Sequence, residues 1–176
     1  MTKNLIAILF LLLIWLLNGK SILKGIQKKK TGEIYHHLAM GLFFTIPIIE
    51  SFFGISGISF QFFWLKIIGY ILFIPSAVFI FGAFYQLKKH GKADSLEPGS
   101  TIKLVDSGVF SIVRHPMWVG FSLWSFAFIL CFQSLVSLVI GMVVIILFRI
   151  SSIKDDKEGI NCFGDAYREY MKKTPF

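Results

Sequence analysis

Charged residues and cysteines are scarce in this chain, and both shortages limit what the protein can be. Charged side chains make up 16% of the 176 residues, whereas 55% of the residues are hydrophobic. Soluble domains usually contain roughly 45–50% apolar residues. The twenty phenylalanines and the long uncharged runs therefore indicate an integral membrane protein, with a single domain at residues 1–176.

The two cysteines predict neither a disulfide nor a metal site. Cys131 and Cys162 fall on opposite sides of the membrane in the predicted five-helix topology, so they are too far apart to pair. Neither has a Cys or His neighbour at metal-ligand spacing. His36 and His37 are adjacent and point in different directions on a helix, so we expect no shared metal there either.

The first apolar run lacks the small-residue motif of a signal-peptide cleavage site. It extends from Leu5 to Leu17, and the following Asn18-Gly19-Lys20 contains no A-x-A-like sequence. A signal peptide is the alternative interpretation, but the missing motif favours a retained membrane helix.

Five apolar segments predict an all-α integral membrane protein with about five transmembrane helices. A bilayer core of ~30 Å is crossed by about 20 apolar residues, so the long run after Pro116 is divided at Gln133-Ser134. The predicted spans are about residues 4–23, 35–53, 62–86, 116–132 and 135–150. The polar tail at residues 151–176 has aromatic residues at helical spacing, which predicts a cytoplasmic amphipathic helix.

The distribution of basic residues orients this topology. Sixteen of the eighteen Lys and Arg residues lie at residues 18–34, at residues 87–116, where Pro98-Gly99 predicts a turn, and at residues 149–176. Cytoplasmic loops of membrane proteins carry such an excess. We therefore expect a cell-membrane protein with its N-terminus outside and these three segments in the cytoplasm. The net charge of +8 belongs to these loops and does not predict nucleic-acid binding.

Residues 106–120 contain the most distinctive motif of the chain. Arg114 and His115 directly precede Pro116, which starts the fourth apolar segment, and proline is favoured in the first turn of a helix. The Arg-His pair is therefore expected at the membrane face, beside helix N–H groups that suit anionic ligand groups. A basic anchor for the lipid headgroups is the alternative interpretation.

A second polar cluster follows the fifth span. Because a short hairpin joins spans four and five, Asp155 and Asp156 are expected beside Arg114 and His115 at one membrane face. These side chains together predict a polar pocket for a zwitterionic or cationic ligand. A solvated juxtamembrane charge cluster is the alternative interpretation.

Both clusters contain recognisable sequence patterns. Residues 103–120 fit G-x-Y/F followed by R-H-P-x-Y-x-G, with Phe110 and Trp118 at the tyrosine positions. Asp155-Asp156 form a paired acidic motif, and residues 163–170 then fit F-G-x-x-Y-x-x-Y. In these motifs the chain resembles the isoprenylcysteine carboxyl methyltransferase family and the related phospholipid methyltransferases. The resemblance covers the C-terminal part of the chain, whereas the N-terminal spans match only in being apolar.

The resemblance implies an integral membrane methyltransferase that uses S-adenosylmethionine and acts on a lipophilic acceptor within the bilayer. The cofactor would lie at the cytoplasmic face, between the loop before the Arg-His-Pro motif, that motif and the tail. The residues that would contact it are Ile102, Lys103, Leu104, Val105, Phe110, His115, Pro116, Met117, Trp118, Asp155 and Asp156. Arg114 or Arg149 would take the catalytic role of orienting the acceptor, and no metal is expected.

Several family positions differ in this chain, and they leave the acceptor open. The paired glutamates of the family are aspartates here, and Ser151 stands where the family often has an arginine for the acceptor carboxylate. The resemblance favours an isoprenylcysteine carboxylate as acceptor. The alternatives are a phospholipid amine, a small hydrophobic thiol or acid, and a non-catalytic membrane protein of the same fold. A transporter would show charges inside the membrane, where only Glu50 is a candidate.

Overall fold

The computed structural model describes residues 2–53, 62–91 and 101–175, and these residues form helices and no strand. The predicted turn at Pro98-Gly99 lies outside them. The helices in chain order are α1 (Thr2–Gln27), α2 (Thr31–Ile48), α3 (Phe63–Lys89), α4 (Val109–Ile112), α5 (Pro116–Phe132), α6 (Leu135–Phe163) and α7 (Asp165–Lys173). A π-helical turn at Ile49–Phe53 continues α2.

The predicted class, an all-α integral membrane protein, is confirmed. Four segments are long and apolar enough to cross a membrane, and they are Lys3–Gln27, Thr31–Phe53, Phe63–Lys89 and Leu135–Phe163. Helix α5 is also apolar, and its 17 residues reach ~25 Å at ~1.5 Å per residue, the lower end of what spans a bilayer. Helix α1 packs mainly on α2 and leaves most of its leucines exposed, as expected of a helix at the lipid boundary.

Close approach of backbones fixes the contact between α3 and α5. The Ser76 hydroxyl donates to the Gly120 carbonyl oxygen over 2.8 Å, although Ser76 lies mid-helix, one residue after Pro75. A Cβ on Gly120 would lie 2.6 Å from Ile80 Cγ1 and 3.0 Å from the Ser76 carbonyl oxygen. Small residues at such contacts are how membrane helices gain packing without a hydrophobic driving force between them.

The helices α2, α5 and α6 meet in an aromatic core. Trp118 stacks on Phe148, with ring centroids 5.5 Å apart and planes inclined by 13°. Phe43 of α2 packs edge-on against Phe121, at a centroid distance of 5.5 Å. Trp118 therefore serves the core as well as the functional motif in which it lies.

The C-terminal part differs from the sequence prediction. The fifth span is predicted to end near residue 150, with a surface helix after it, but α6 continues unbroken to Phe163. Gly164, at φ +58°, separates α6 from α7, so the predicted amphipathic helix is the short α7 alone. Polar residues beyond Arg149 continue the helix because nothing in that stretch breaks it before Gly164.

The described parts of the three basic segments lie at one end of the bundle. The Ser151 hydroxyl donates to the Gly32 carbonyl oxygen over 3.0 Å, which ties the start of α2 to α6. The Ile102 N–H donates to the Gly91 carbonyl oxygen over 3.1 Å, just past α3, and the Arg114 N–H donates to the Pro175 carbonyl oxygen over 3.1 Å. This end of the bundle holds both sequence motifs.

Candidate functional site

Asp156 binds three side chains that come from two other parts of the chain. Arg114 donates from Nε to Oδ1 over 3.3 Å and from Nη2 to Oδ2 over 3.2 Å. The His115 Nε2 atom lies 2.8 Å from Oδ1, and the Tyr167 hydroxyl donates to Oδ1 over 2.8 Å. A carboxylate can only accept, so the His115 Nε2 atom is the donor in this contact. The network joins the start of α5, the polar end of α6 and α7.

Arg114 also holds the end of the chain. Its Nη1 donates to the carbonyl oxygens of Met171 and Thr174, over 3.3 and 2.9 Å. These are carbonyls at the C-terminal end of α7, which lack partners within the helix. The guanidinium thus links the acid on α6 to the last turn of α7.

The α7 tyrosines complete the attachment as neutral donors. The Tyr170 hydroxyl donates to the Phe110 carbonyl oxygen over 2.6 Å. Burial raises the pKa of Tyr170 above its usual range. Burial and then the hydrogen bond to Asp156 raise the pKa of Tyr167 in the same direction. Both phenols therefore stay protonated at neutral pH and keep donating.

Asp155 points to a different partner from its neighbour. The Trp118 Nε1–H donates to Asp155 Oδ2 over 2.7 Å, across from α5 to α6. Asp156 is occupied by the Arg114 network, but Asp155 lines an open cavity. Asp156 therefore holds the tail, whereas Asp155 lines the cavity.

The motif cavity, as we call it, lies between the ends of α3, α5 and α6 and under α7. About 890 Å³ of space inside it is free of protein atoms, a figure that includes the open mouth. Its lining residues are Leu87, Thr101, Leu104, Val105, Phe110, Arg114, His115, Pro116, Met117, Trp118, Asp155, Glu158, Gly159, Cys162, Phe163, Tyr167 and Tyr170. Apolar and aromatic walls with two carboxylates suit a flat ligand that carries hydroxyl or cationic groups.

The structure brings most of the predicted contact residues together. Those that line the motif cavity are Leu104, Val105, Phe110, His115, Pro116, Met117, Trp118 and Asp155. Arg114, which was predicted to orient the acceptor, lines it too. Ile102 and Lys103 do not line it, and Ile102 is 66% exposed. Asp156 is held behind the cavity wall by Arg114.

Arg149 lies elsewhere, in a second space that we call the Arg149 groove. This groove runs between α5 and α6 and holds about 790 Å³, again counting its open side. Its lining residues are Trp118, Val119, Ser122, Leu123, Phe126, Ile145 and Arg149. The groove is apolar except for Ser122 and the arginine at its polar end. The two predicted acceptor arginines, Arg114 and Arg149, are therefore not in one site.

Sequence reasoning missed several residues of the cavity wall. Glu158, Gly159 and Cys162 follow Asp155 at intervals of three, four and seven residues, so they share its helical face. That signal would have found them if α6 had been extended past residue 150. Leu87 and Thr101 carry no sequence signal, because only the fold brings the end of α3 to this wall.

A metal site is absent from the described residues. No group of three or more His, Cys, Asp or Glu side chains in them is placed to hold a metal ion. The two cysteines there are free. His37 lies with its Nδ1 3.3 Å from the Asn18 Oδ1, and the His36 ring packs against Trp118.

Comparison with protein families matches the part of the chain that contains the Arg-His-Pro motif. Residues 64–154, slightly more than half of the chain, match the phospholipid methyltransferase family model. This range contains the Arg-His-Pro motif and ends at Lys154, one residue before Asp155. No solved structure matches the chain.

Curated relatives match part of the chain. The protein-S-isoprenylcysteine O-methyltransferase of Schizosaccharomyces pombe is 33% identical over 73 residues, which cover 41% of this chain and 31% of that protein. The Mus musculus protein of that name is 33% identical over 81 residues, covering 45% and 28%. The Homo sapiens one is 29% identical over 121 residues, covering 64% and 40%. The chain thus spans less than half the length of these relatives.

Proposed function

The chain belongs to the phospholipid methyltransferase family, and from that premise we propose that it transfers a methyl group from S-adenosylmethionine to a lipophilic acceptor. The observation that carries the proposal is the motif cavity, whose wall combines the Arg-His-Pro segment with Asp155. These residues are far apart in sequence, and they line one open space at the same end of the bundle.

The cavity wall fits the methyl donor in its chemistry. S-adenosylmethionine supplies a methyl group on a positively charged sulfonium sulfur. Asp155 would accept hydrogen bonds from ribose hydroxyls or from the amino group of the donor, with Glu158 one turn away on the same wall. The faces of Phe110 and Trp118 would attract the sulfonium by cation–π interaction. Met117 adds an apolar contact for the adenine.

Arg114, His115 and Asp156 act mainly by positioning. Their shared hydrogen bonds fix the start of α5 and hold α7 over the cavity. His115 and Pro116 themselves line the cavity, so they would also contact the donor. The free N–H groups at the start of α5 suit the donor carboxylate. Ile102 and Lys103 receive no role in this proposal, because they lie away from the cavity wall.

The Arg149 groove is the proposed acceptor site. Its apolar walls suit the hydrocarbon chain of a lipophilic acceptor. The groove opens on a flank of the bundle, where Phe126 is 43% exposed. A guanidinium at its polar end can bind a carboxylate or phosphate through two parallel hydrogen bonds. Arg149 would then orient the acceptor, whereas Arg114 is engaged with the tail.

The position of Ser151 supports this choice of arginine. Ser151 is fully buried and donates to the Gly32 carbonyl oxygen, so α2 occupies the space that a longer side chain would need. An arginine at that position would not fit against Gly32. Arg149 lies two residues earlier and lines the groove.

The acceptor class follows from the relatives and the groove together. Three curated relatives are named as isoprenylcysteine O-methyltransferases, so a prenylated cysteine carboxylate is the first candidate acceptor. The family model is named for phospholipid methylation, which makes an ethanolamine phospholipid the second candidate. Arg149 suits both, since one acceptor carries a carboxylate and the other a phosphate.

We also propose an orientation. The three basic segments at one end of the bundle would face the cytoplasm, following the excess of Lys and Arg there. The motif cavity would then take its donor from the cytoplasm, and the N-terminus would lie outside a cell membrane.

Calorimetry with S-adenosylmethionine and S-adenosylhomocysteine tests the donor site on detergent-purified protein. We expect Asp155→Ala and His115→Ala to weaken binding about 10- to 100-fold, as loss of a charge-assisted hydrogen bond does. Asp165→Ala is the matched control, because that side chain is 94% exposed on α7 and does not line the cavity. Wild-type binding that Asp155→Ala leaves intact would refute the assignment.

Transfer of a tritiated methyl group to lipid in mixed micelles tests the acceptor. A farnesylated N-acetylcysteine and a phosphatidylethanolamine are compared in parallel reactions. Activity on the first alone supports carboxyl methylation, and activity on the second alone supports phospholipid N-methylation. Donor binding without transfer to either would contradict both acceptor proposals.

A further inference from the structure

Trp118 forms the wall between the motif cavity and the Arg149 groove. Of the residues that the structure describes, it alone lines both spaces. Its side chain is 3% exposed and borders both spaces. Methyl transfer requires the reacting atoms about 3–3.5 Å apart. With the ring in this position, a donor in the cavity and an acceptor in the groove lie on opposite sides of it.

Three contacts hold the ring there. The Trp118 Nε1–H donates to Asp155 Oδ2 over 2.7 Å. One face stacks on Phe148 at a centroid distance of 5.5 Å. The His36 ring packs against the indole from α2, at a centroid distance of 4.7 Å and an inclination of 47°. Only the first of these contacts involves a group that also faces the motif cavity.

His36 is placed to position this ring, because it packs on Trp118 and, in the described residues, otherwise only on the ring of its neighbour His37. Its Nδ1 is buried and has no hydrogen-bond partner in the described part of the chain. A buried polar atom without a partner costs stability that an apolar ring would not. His36 does not line the motif cavity or the Arg149 groove, so any effect it has on ligands passes through Trp118.

Resting on the proposed function, we propose that the Trp118 ring is a movable partition between donor and acceptor. The hydrogen bond from its Nε1–H to Asp155 is the latch that holds the ring in place, and His36 packs against the ring as a positioning residue. In this proposal the donor takes the Asp155 oxygen that the indole N–H uses, Oδ2. A donor that binds Asp155 removes the latch, and the ring then turns aside. Trp118 thereby joins the two spaces only when a donor is present, and the acceptor stays in the groove otherwise.

Fluorescence quenching by lipid measures the position of the ring. A variant that keeps Trp118 as its single tryptophan carries Trp15→Phe, Trp64→Phe and Trp124→Phe. It is reconstituted in brominated phosphatidylcholine, which quenches an indole that lipid can reach. The matched reporter keeps Trp124 instead, on the same helix but in neither cavity lining. Calorimetry establishes independently whether each variant binds S-adenosylhomocysteine.

We expect S-adenosylhomocysteine to raise the quenching of Trp118 about twofold or more and to leave that of Trp124 unchanged. Asp155→Ala should raise it without any ligand, because the latch is missing. His36→Ala should likewise raise the ligand-free quenching of Trp118. His36→Phe restores a ring against the indole, so its quenching should equal that of the variant with His36 intact.

The outcomes separate the partition from the proposed function. Binding of S-adenosylhomocysteine with unchanged Trp118 quenching overturns the partition and leaves the methyltransferase proposal intact. Absence of binding contradicts the proposed donor site, and the ligand-free Asp155→Ala and His36→Ala measurements then decide the partition alone. Unchanged quenching in both of those variants refutes it.

Discussion

Arg114 and Asp156, 42 residues apart in the chain, form a two-pronged ion pair in which each side chain is 13% exposed. Arg114 uses its remaining Nη1 hydrogens on two carbonyl oxygens at the end of α7. The pair therefore holds three segments of the cavity together, namely the start of α5, the polar end of α6 and the tail.

Arg114→Ala should destabilise the protein strongly. The change removes the positive charge that is paired with Asp156 and leaves two α7 carbonyl oxygens without their donor. Loss of one member of such a buried pair costs about 3 kcal/mol of folding free energy. Arg114→Lys should recover only part of this, since a lysine lacks the planar fork. Denaturant unfolding in mixed micelles gives the free energies. Arg168→Ala, which removes an exposed pair with Asp165, should cost less than about 1 kcal/mol; equal costs for Arg114→Ala and Arg168→Ala would count against the role given to Arg114.

Gly120→Ala should separate α5 from α3. The added methyl would lie 2.6 Å from Ile80 Cγ1 and 3.0 Å from the Ser76 backbone, and overpacking of this kind costs about 1–3 kcal/mol. Gly19→Ala is the control, because no atom lies within 4 Å of the added carbon. Thermal unfolding in detergent compares the two. A Gly120→Ala protein as stable as Gly19→Ala would mean that the helices do not pack as described.

Arg149→Ala should raise the KM for the acceptor about tenfold or more, because a bidentate contact to a carboxylate or phosphate is lost. The affinity for S-adenosylhomocysteine should stay within about twofold, since Arg149 does not line the motif cavity. Lys157→Ala removes a positive charge from the exposed side of the same helix and serves as the control. A rise in donor Kd with no change in acceptor KM would place Arg149 in the wrong site.

Cys162 reports both the orientation and the cavity. It is exposed and lines the motif cavity, so a membrane-impermeant maleimide should label it in inverted vesicles and not in right-side-out ones. Cys162→Ser should remove this label, which distinguishes it from the partly buried Cys131. Labelling in right-side-out vesicles alone would reverse the proposed orientation. Saturating S-adenosylhomocysteine should slow the labelling, and unchanged rates with bound ligand would argue against donor binding beside Cys162.

The sequence by itself determined the membrane class, the number of apolar helices and the position of the site motif. Pro116 starts α5 where its missing N–H costs nothing, and Ser134 begins α6 with a capping box, so local chemistry fixed the hairpin. The same hairpin predicted that Asp155 and His115 would meet, and both line the motif cavity.

Only the tertiary structure decided which side chain does what. Asp155 and Asp156 are chemically identical in the sequence, but neighbours on a helix point about 100° apart, so one meets Trp118 and the other Arg114. Arg149 and Arg114 lie in different sites for a related reason. Arg149 faces the groove between α5 and α6, whereas Arg114 faces the tail. Such assignments depend on how helices pack across long separations in sequence, and no local pattern of residues records that packing.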